Sequence, residues 1–489
     1  MAPRKASRTV AAVVLAAGLG KRMKSATPKI LHDICGRPAL WYVLRAARAA
    51  RPSKLIVVVG HAAEQVEEAV RSWNLKPSPI FVRQTQRLGT AHAVGVAEQE
   101  IGTADDVLVL PGDDPLVRGT DVRDVLQVHR RTTAAATIAI TSVENPRGYA
   151  RIVHRGDRLE RMVVETVADD SPEARDIRDV STLVYALRRT DLFGALPLVT
   201  RQNKQREYYL PDVITILLEK GERVSVASVD WGGAMGLNSR KGLGAVAAVL
   251  RSRILDVHMS NGVTFVDPAT AYVDVDVRIG GDTVIHPLTF LAGSTRVGAG
   301  CQIGPASRIV DSKVGDGAEV SFSVVRGSTI GSRASVGPYA SLRPGTVLKE
   351  DSKAGTFVEM KAARVGKGAK VPHLSYIGDA TIGKGTNVGA GTVTVNYDGF
   401  EKHRTVIGDE VHIGSDNMLI APVRVGKRAW TGAGSVITKN VPPGALAVER
   451  TEQRNVPGYD ERRRARARQT GDGSKKRRDQ GTRGGRRRG

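Results

Sequence analysis

Cysteine is almost absent from this sequence: Cys35 and Cys301 are its only two cysteines, and they show neither metal-ligand nor redox spacing. This excludes a disulfide-rich or zinc-finger protein and favours a cytoplasmic one. Aromatic residues make up only 4% of the 489 residues, so we expect an interior built from Val, Ile, Leu and Ala. Apolar runs of about 18 residues are also missing, which excludes a transmembrane helix.

Acidic residues are in deficit, because 50 Asp and Glu stand against 73 Lys and Arg, a formal net charge of +23. Part of the excess lies in residues 460–489, which contain thirteen basic residues, four acids and almost no aliphatic side chain. Such a stretch cannot bury enough apolar surface to fold, so we expect a disordered basic tail there. Residues 1–8 form a short basic N-terminal tail. A solvated extension is the simplest interpretation, and contact with nucleic acid or another polyanion is the alternative.

Three patterns divide the rest of the chain. Residues 9–239 alternate short apolar strands with helical stretches, which predicts an α/β domain with a Rossmann-like, mostly parallel sheet. Apolar residues then recur every three to four positions over 240–262, which predicts a linker helix. From 263 to 459 an aliphatic residue followed by glycine, such as Val297-Gly298, recurs at steps of six. This period predicts a solenoid of about ten triangular coils, each of about 18 residues.

The stretch AVVLAAGLGKRMK at residues 12–24 places a glycine turn after the first predicted strand. A secretory signal is disfavoured because the apolar run passes directly into a basic segment without a cleavage site. A Walker loop and a dinucleotide fingerprint each lack a required glycine. What remains is a turn whose backbone N–H groups at Gly18 and Gly20 can approach an anion. Arg22 and Lys29 add positive charge suited to phosphates.

Further segments make this pattern specific. QTQRLGTAHA at 84–93, PGDDPL at 111–116 and EYYLPD at 207–212 follow the glycine turn, and together they resemble the sugar-1-phosphate nucleotidyltransferases. The solenoid then carries KVPHLSYIGD and NVGAGTVTVNYDG. Over residues 9–459 the chain is similar to the bacterial bifunctional N-acetylglucosamine-1-phosphate uridylyltransferase and glucosamine-1-phosphate acetyltransferase family.

This resemblance implies both a fold and a reaction sequence. The C-terminal domain is expected to be a left-handed parallel β-helix of hexapeptide repeats that associates side by side as a homotrimer. Glucosamine-1-phosphate is acetylated from acetyl-CoA, and N-acetylglucosamine-1-phosphate is then uridylylated from UTP, with Mg²⁺ as cofactor and release of pyrophosphate. The product, UDP-N-acetylglucosamine, would supply cell-wall synthesis.

Nucleotidyl transfer brings two anions together, so the N-terminal site must neutralise and align phosphates. Arg22 and Lys29 are the candidates for the phosphate clamp. Asp113 follows a strand and is the candidate Mg²⁺ ligand, a turn-forming aspartate being the alternative. The resemblance adds Asn238 as a second metal ligand. It also implies nucleotide contacts at Leu15, Ala16, Ala17, Gly18, Lys29, Gln84, Gly89 and Thr90, and sugar contacts at Ala150, Glu165 and Ser181.

Two places in this half depart from the family pattern. The family usually has GYG where this chain has a Gly-Tyr sequence followed by Ala150. It also has an asparagine, and a glycine two residues later, where this chain has Ser181 and Leu183. Serine shortens a hydrogen-bonding arm and leucine adds bulk at the sugar side. Altered sugar choice, or an acetyltransferase with a degenerate N-terminal domain, is therefore the alternative.

Acetyl transfer to an amine requires a base, and His373 in PHLSY is the candidate, a structural histidine being the alternative. Backbone N–H groups of Gly389, Ala390 and Gly391 could stabilise the oxyanion. The spacing of the repeat breaks at 396–405, which predicts a projecting loop. The resemblance implies sugar-phosphate contacts at Arg343, Lys361, Tyr376 and Asn387, and acetyl-CoA contacts at Ala390, Asn396, Tyr397, Ser415, Ala433 and Arg450.

Overall fold

A computed structural model describes residues 8–163, 172–203, 205–230 and 237–468. The strands of the described N-terminal half are Val10–Ala16 (β1), Asp33–Ile34 (β2), Arg37–Pro38 (β3), Lys54–Val59 (β4), Ile80–Arg83 (β5), Asp106–Pro111 (β6), Ala136–Ser142 (β7), Arg151–Arg155 (β8), Arg158–Val163 (β9), Asp179–Arg188 (β10) and Val224–Ser228 (β11). Its helices are Ala39–Ala47 (α1), Ala63–Ser72 (α2), Thr90–Gly95 (α3), Glu98–Ile101 (α4), Gly119–Thr132 (α5), Arg189–Ala195 (α6), Leu210–Glu219 (α7) and Arg240–Ser260 (α8). Short 3₁₀ turns occur at Lys21–Met23, Lys29–Leu31, Arg48–Ala50, Pro172–Ala174, Leu196–Leu198 and Pro268–Thr270.

Nine of these strands form one sheet in the order β5-β4-β1-β6-β10-β7-β11-β9-β8. The β1, β4, β5 and β6 strands are parallel, whereas β10 runs antiparallel between β6 and β7. Both faces of the sheet are covered: Ala12 and Val14 pack in one apolar cluster, and Ala11 and Val13 pack in another on the opposite face. This confirms the predicted α/β domain, and the site is expected at the carboxyl ends of its parallel strands.

Helix α8 joins the two halves of the molecule. The Ser239 hydroxyl caps it by accepting a hydrogen bond from the backbone N–H of Gly242, at 3.1 Å. Leu250 packs in a core of the α/β domain, whereas Leu255, one turn and a half later, packs in the core of the solenoid. The Arg253 guanidinium also donates to the carbonyl oxygen of Leu116 at 2.7 Å. The linker is therefore a packed part of both cores.

The segment 264–447, all of which is described, forms three sheets of parallel strands. Their bounds are, for the first face, Thr264–Phe265, Val284–Ile285, Gln302–Ile303, Glu319–Val320, Ser335–Val336, Lys353–Thr356, Lys370–His373, Asn387–Val388, His412–Ile413, Trp430–Thr431 and Leu446–Ala447; for the second face, Tyr272–Val273, Phe290–Ala292, Arg308–Val310, Val324–Arg326, Ser341–Leu342, Glu359–Lys361, Tyr376–Gly378, Val393–Val395, Met418–Ile420 and Val436–Ile437; and for the third face, Arg278–Ile279, Arg296–Val297, Lys313–Val314, Thr329–Ile330, Val347–Leu348, Arg364–Val365, Ala380–Ile382, Thr405–Ile407 and Val423–Val425.

The hexapeptide period has a direct structural cause in these coils. The aliphatic residue of each repeat points into one continuous core, as Val388 and Ile413 do. The glycine that follows lies against the next coil: a Cβ on Gly389 would meet the carbonyl carbon of Gly414 at 2.5 Å. The arrangement is consistent with a left-handed β-helix of repeats and confirms the predicted fold class.

The predicted projecting loop interrupts the stacking only locally. Strand Ala380–Ile382 pairs directly with Thr405–Ile407, although 25 residues separate equivalent positions instead of the usual 17 or 18. The extra residues leave the prism after Val395, and Tyr397 bridges to Lys402 within the loop.

The expected disorder of the C-terminal tail is wrong for its first residues. Residues 459–468 form an exposed helix. Arg and Ala are strong helix formers, and Arg464 pairs with Asp460 one turn away at 2.7 Å, which explains the helix. Residues 1–7 and 469–489 lie outside the described residues. None of the helices in the described ranges has both the length and the apolarity that crossing a membrane requires.

Candidate active sites

The glycine turn lies at the carboxyl edge of the N-terminal sheet. Strand β1 ends next to β6, and the backbone N–H of Gly112 donates to the carbonyl oxygen of Leu15 at 2.8 Å. Ala16 and Ala17 are buried there, whereas Gly18 is exposed and has no atom within 4 Å of the position of a Cβ. The predicted nucleotide contacts therefore line one open edge of the sheet.

Lys29 connects three separate loops at this edge. Its ammonium forms an ion pair with Asp113 and donates to Oδ1 of Asn238 at 3.1 Å. Gly20 has a φ of +60°, and a Cβ there would meet Cβ of Lys29 at 2.7 Å, so the close approach of this turn favours glycine. The structure thus brings together Lys29 and both predicted metal ligands. Arg22 is exposed and makes no ion pair within the described part of the chain.

Asp113 and Asn238 suit a hard divalent cation. One oxygen from each side chain is directed at the same ammonium group, so the two oxygens converge on one point. Their loops are tied together, because the backbone N–H of Leu237 donates to the Asp113 carbonyl oxygen at 3.3 Å. Two protein oxygens leave the remaining ligand positions of such a cation to phosphates and water.

The 84–93 segment is braced by the EYYLPD segment. Gln84 is buried, and its side-chain amide donates to the carbonyl oxygen of Gly89 at 3.0 Å. Gly89 has a φ of +115° and lies against the backbone of Tyr208. The Thr90 hydroxyl accepts a hydrogen bond from the backbone N–H of Leu210 at 2.9 Å. Two motifs more than 100 residues apart in sequence therefore build one loop beside the glycine turn.

Two of the predicted sugar contacts, Ala150 and Ser181, lie on the opposite side of β6. The backbone N–H of Ser181, in β10, donates to the carbonyl oxygen of Ala150 at 3.1 Å, so the two departures from the family pattern are neighbours. Ser181 is buried, and its hydroxyl lies 3.2 Å from the hydroxyl of Tyr185. Glu165 lies outside the described residues.

In the solenoid, four predicted residues form a column along the corner between the first and second faces. His373, Ala390, Ser415 and Ala433 each immediately precede a corner residue with positive φ. The stacking is direct, since Asp416 donates its N–H to the Ala390 carbonyl at 2.7 Å, and Gly434 does the same to Ser415 at 2.8 Å. With coils about 4.8 Å apart, this column is about 14 Å long. His373 is exposed at its lower end, which excludes a histidine buried in the filling of the prism.

A second cluster lies where the second face meets the third. Lys361 donates to both oxygens of Asp379, at 3.2 and 3.1 Å, and the side-chain amide of Asn396 donates to Asp379 at 2.5 Å. The hydroxyl of Tyr376 and the Asn396 amide both lie over Gly378, within 2.7 Å of the position of a Cβ. Asp379 therefore joins predicted sugar-phosphate and coenzyme residues.

The electrostatics of this cluster favour an anion. Burial alone would raise the pKa of Asp379, but the hydrogen bonds from Lys361 and Asn396 outweigh it and hold that pKa below the usual range. The ion pair with Asp379 raises the pKa of Lys361, while Lys361 together with Arg343 lowers the pKa of Lys402. Arg343, which acts on Lys402, is itself paired with Glu359 at 3.1 Å. Three cations thus lie near two carboxylates, which leaves net positive charge for a phosphate.

Sequence reasoning missed Asp379 and Lys402. Both stand in segments that were singled out, YIGD and the loop at 396–405, but neither residue follows the six-residue period. The signal for Asp379 was its place at a corner: its φ is +46°, a conformation that Asp adopts more readily than most residues.

The remaining predicted residues are more dispersed. The Tyr397 hydroxyl donates to the carbonyl oxygen of Gly399 at 2.6 Å inside the loop. The guanidinium of Arg450 donates to the carbonyl oxygen of Ala433 at 3.1 Å, which places it at the upper end of the column. Asn387 is exposed on the first face, whereas Lys361 and Tyr376 belong to the second.

Comparison with known proteins decides the family. Residues 12–210 match the MobA-like NTP transferase domain. The chain is 46% identical to the bifunctional protein GlmU of Streptomyces avermitilis over 462 residues, 94% of this chain and 95% of that protein. It is 47% identical to GlmU of Streptomyces coelicolor, over 94% of this chain and 95% of that protein. It is 44% identical to GlmU of Mycobacterium tuberculosis, over 93% of this chain and 92% of that protein. The chain belongs to the bifunctional GlmU family.

Family membership confirms the predicted enzyme. The chain is a transferase with two activities, acetyl transfer and uridylyl transfer, in UDP-N-acetylglucosamine synthesis. Its substrates are sugar phosphates and nucleotides, and a divalent metal takes part. A solved structure, CMP:2-keto-3-deoxy-manno-octonic acid synthetase complexed with CTP, shares 20% identity with a TM-score of 0.41, over 50% of this chain and 99% of that one.

Proposed function

We propose that the solenoid and the edge of the N-terminal sheet each hold an active site, and that the two sites act in sequence. The solenoid corner acetylates glucosamine-1-phosphate from acetyl-CoA, and the edge of the N-terminal sheet then transfers a uridylyl group from UTP to the product. The assignment of uridylyl transfer is supported by the convergence of Lys29, Asp113 and Asn238 at the end of β1 and β6. The assignment of acetyl transfer is supported by the column that begins at His373.

In acetyl transfer, His373 takes the proton from the attacking amine, because a neutral nitrogen is required for attack on the thioester. Arg343, Lys361 and Lys402 hold the phosphate, and Tyr376 and Asn387 orient the sugar. Acetyl-CoA extends along the column past Ala390, Ser415 and Ala433, with Asn396, Tyr397 and Arg450 at its borders. Backbone N–H groups at Gly389, Ala390 and Gly391 stabilise the oxyanion.

In uridylyl transfer, an oxygen of the sugar phosphate attacks the α-phosphorus of UTP, and pyrophosphate leaves. Lys29 and Arg22 neutralise the phosphates, while the turn at 15–18 and the loop of Gln84, Gly89 and Thr90 hold the nucleotide. Asp113 and Asn238 would hold Mg²⁺, which supplies charge neutralisation at the phosphates. Ala150, Glu165 and Ser181 bind the acceptor sugar.

We also propose a cytoplasmic homotrimer. Asn387 and Lys361 belong to different faces of one prism, which supports a pocket completed by a neighbouring solenoid. Exposed apolar side chains stack along one corner, with the rings of Tyr339 and Phe357 5.2 Å apart, and such a stripe supports contacts between copies. The basic C-terminal helix, 459–468, is a candidate contact for a polyanion. Light scattering of the purified protein tests the trimer, and a monomeric mass would contradict it.

Pyrophosphate release is the test of the proposed pair of activities. Purified protein with UTP, Mg²⁺ and N-acetylglucosamine-1-phosphate should release pyrophosphate, and with acetyl-CoA and glucosamine-1-phosphate it should release free CoA. Release of CoA without any pyrophosphate would instead support the alternative, an acetyltransferase with a degenerate N-terminal domain.

A further inference from the structure

Leu183 occupies an unusual position in the N-terminal sheet. Strand β10 lies between β6 and β7, and every residue from Val180 to Leu187 is buried except Leu183, which is 46% exposed. A central strand of a sheet covered on both faces exposes a side chain only where the cover is open. Within the described residues, Leu183 therefore marks a crevice in the cover of the sheet.

The register of β10 shows where this crevice lies. Tyr185 pairs with Val109 in β6, and the register shifts between Tyr185 and Ser181, as at a β-bulge. Because the strands are antiparallel, Leu183 lies beyond that pair, toward the end of β6 that leads to Asp113. The crevice thus opens beside the metal ligand of the uridylyl-transfer site.

The backbone of Leu183 is held in a conformation that leucine disfavours. Its φ is +63°, in the left-handed region where a branched side chain is rarely found. Strain of this kind is typical of functional sites, where the surrounding structure maintains it. The bulge therefore fixes the isobutyl group at the mouth of the crevice.

Nearby polar groups of the same strand are already engaged. The Ser181 hydroxyl lies 3.2 Å from the Tyr185 hydroxyl and accepts a hydrogen bond from the N–H of Leu183 at 3.4 Å. The Thr182 hydroxyl donates to the carbonyl oxygen of Ala139 at 2.9 Å. Apart from the Ser181 hydroxyl, the strand at this point offers an acceptor molecule the apolar side chain of Leu183.

We propose that Leu183 is a specificity-determining residue that contacts the acetyl methyl group of the acceptor sugar phosphate, an inference that rests on the proposed uridylyl transfer. That methyl group is the one sizeable apolar group of N-acetylglucosamine-1-phosphate. Glucosamine-1-phosphate carries an ammonium group at the same carbon, and placing a charge against leucine removes its hydration without compensation. Leu183 thereby favours the product of the solenoid site over its substrate as the acceptor, by a contact that the glycine of the family pattern cannot make.

The test compares two acceptors in the absence of acetyl-CoA, so that neither is altered by the solenoid site. Pyrophosphate release from UTP is measured with N-acetylglucosamine-1-phosphate and with glucosamine-1-phosphate, for the wild type and the variants Leu183→Ala, Leu183→Asn and Leu183→Met. We expect the ratio of kcat/KM between the acceptors to fall about tenfold in the Ala and Asn variants, the scale of one lost apolar contact, with the KM for UTP unchanged. The Met variant should keep the ratio.

The Asn variant separates contact from strain, because Asn tolerates the left-handed conformation and should fold at least as stably as the wild type. A ratio that is unchanged or higher in both the Ala and Asn variants would overturn the role of Leu183. Absence of pyrophosphate release from the wild type with either acceptor would instead contradict the proposed uridylyl transfer itself, so the two failures are distinguishable.

Discussion

The two proposed active sites are built in different ways. In the solenoid, His373, Ala390 and Ser415 are neighbours because coils stack in register, so spacing along the chain determines contact in space. At the edge of the N-terminal sheet, Lys29, Asp113 and Asn238 come from three segments far apart in sequence and meet through the tertiary packing of the domain. A repeat thus fixes a site through local geometry, whereas a mixed sheet fixes one through tertiary packing.

The strongest test of this difference is to disable one site and to measure the activity of the other. His373→Ala removes the proposed base, so acetyl transfer should fall by about 10²–10⁴-fold, the usual effect of a positioned base. Uridylyl transfer, which is proposed for the other domain, should be unchanged. Both rates are measured on the same protein by release of CoA and of pyrophosphate.

His286→Ala is the matched control, because His286 directly follows a strand of the same face and contacts Gln302 well below the column. It should leave both activities unchanged. If His373→Ala lowered both activities equally, His373 would be a structural histidine.

The reciprocal change is Asp113→Ala. Loss of the proposed metal ligand should lower uridylyl transfer by about 10²–10³-fold, because a bound metal stabilises the transition state by several kcal/mol. Acetyl transfer should be unaffected. The measurement is the rate of pyrophosphate release as a function of Mg²⁺ concentration, with Asp124→Asn, on the exposed side of α5, as control. An unaltered Mg²⁺ dependence would exclude Asp113 as a ligand.

Asp379→Asn should have a smaller effect, confined to the solenoid site. It removes the charge that holds Lys361 and Asn396, so the KM for glucosamine-1-phosphate should rise about tenfold, the scale of one charge-assisted hydrogen bond, while kcat changes less. Because its neighbours keep the Asp379 pKa below the usual Asp range, the carboxylate is charged at every pH above about 4. The wild-type contribution of this pair to stability is therefore present above that pH and is lost as the pH falls through the lowered pKa.

Asp351→Asn provides the comparison for this variant. Asp351 also occupies a corner with positive φ and binds a cation, Arg333, at 2.8 Å, but it lies outside the column and the cluster. It should leave the KM unchanged. A similar rise of the KM in both variants would show that these corner carboxylates affect acetyl transfer only by stabilising the fold.

The smallest effect is expected from the tail. Truncation after residue 459 should leave both activities within about twofold, since the 459–468 helix is exposed and its Arg464–Asp460 ion pair lies within the helix itself. Affinity for RNA at low salt, measured by titration, should fall on truncation if the basic tail binds polyanions. Unchanged affinity would refute that role.

Much of the fold could be predicted from the sequence because two periods are simple. The apolar runs at β1, β4, β5, β6 and β7 coincide with the observed strands, and the step of six residues defines the faces of the prism. The reversed direction of β10 escaped prediction, since direction depends on the crossing of loops and leaves no local pattern. Asp379 and Lys402 escaped for a related reason: their roles come from contacts between coils rather than from the repeat.

The loop that leaves the prism after Val395 separates two kinds of change that most enzymes must make together. Strand Ala380–Ile382 pairs directly with Thr405–Ile407, so the stacking of the coils does not depend on the length of this loop. Loop positions other than Asn396 and Lys402, which belong to the Asp379 cluster, can therefore change in number or identity without a compensating change in the coils. Evolution can therefore alter this loop while the coils of the β-helix stay the same.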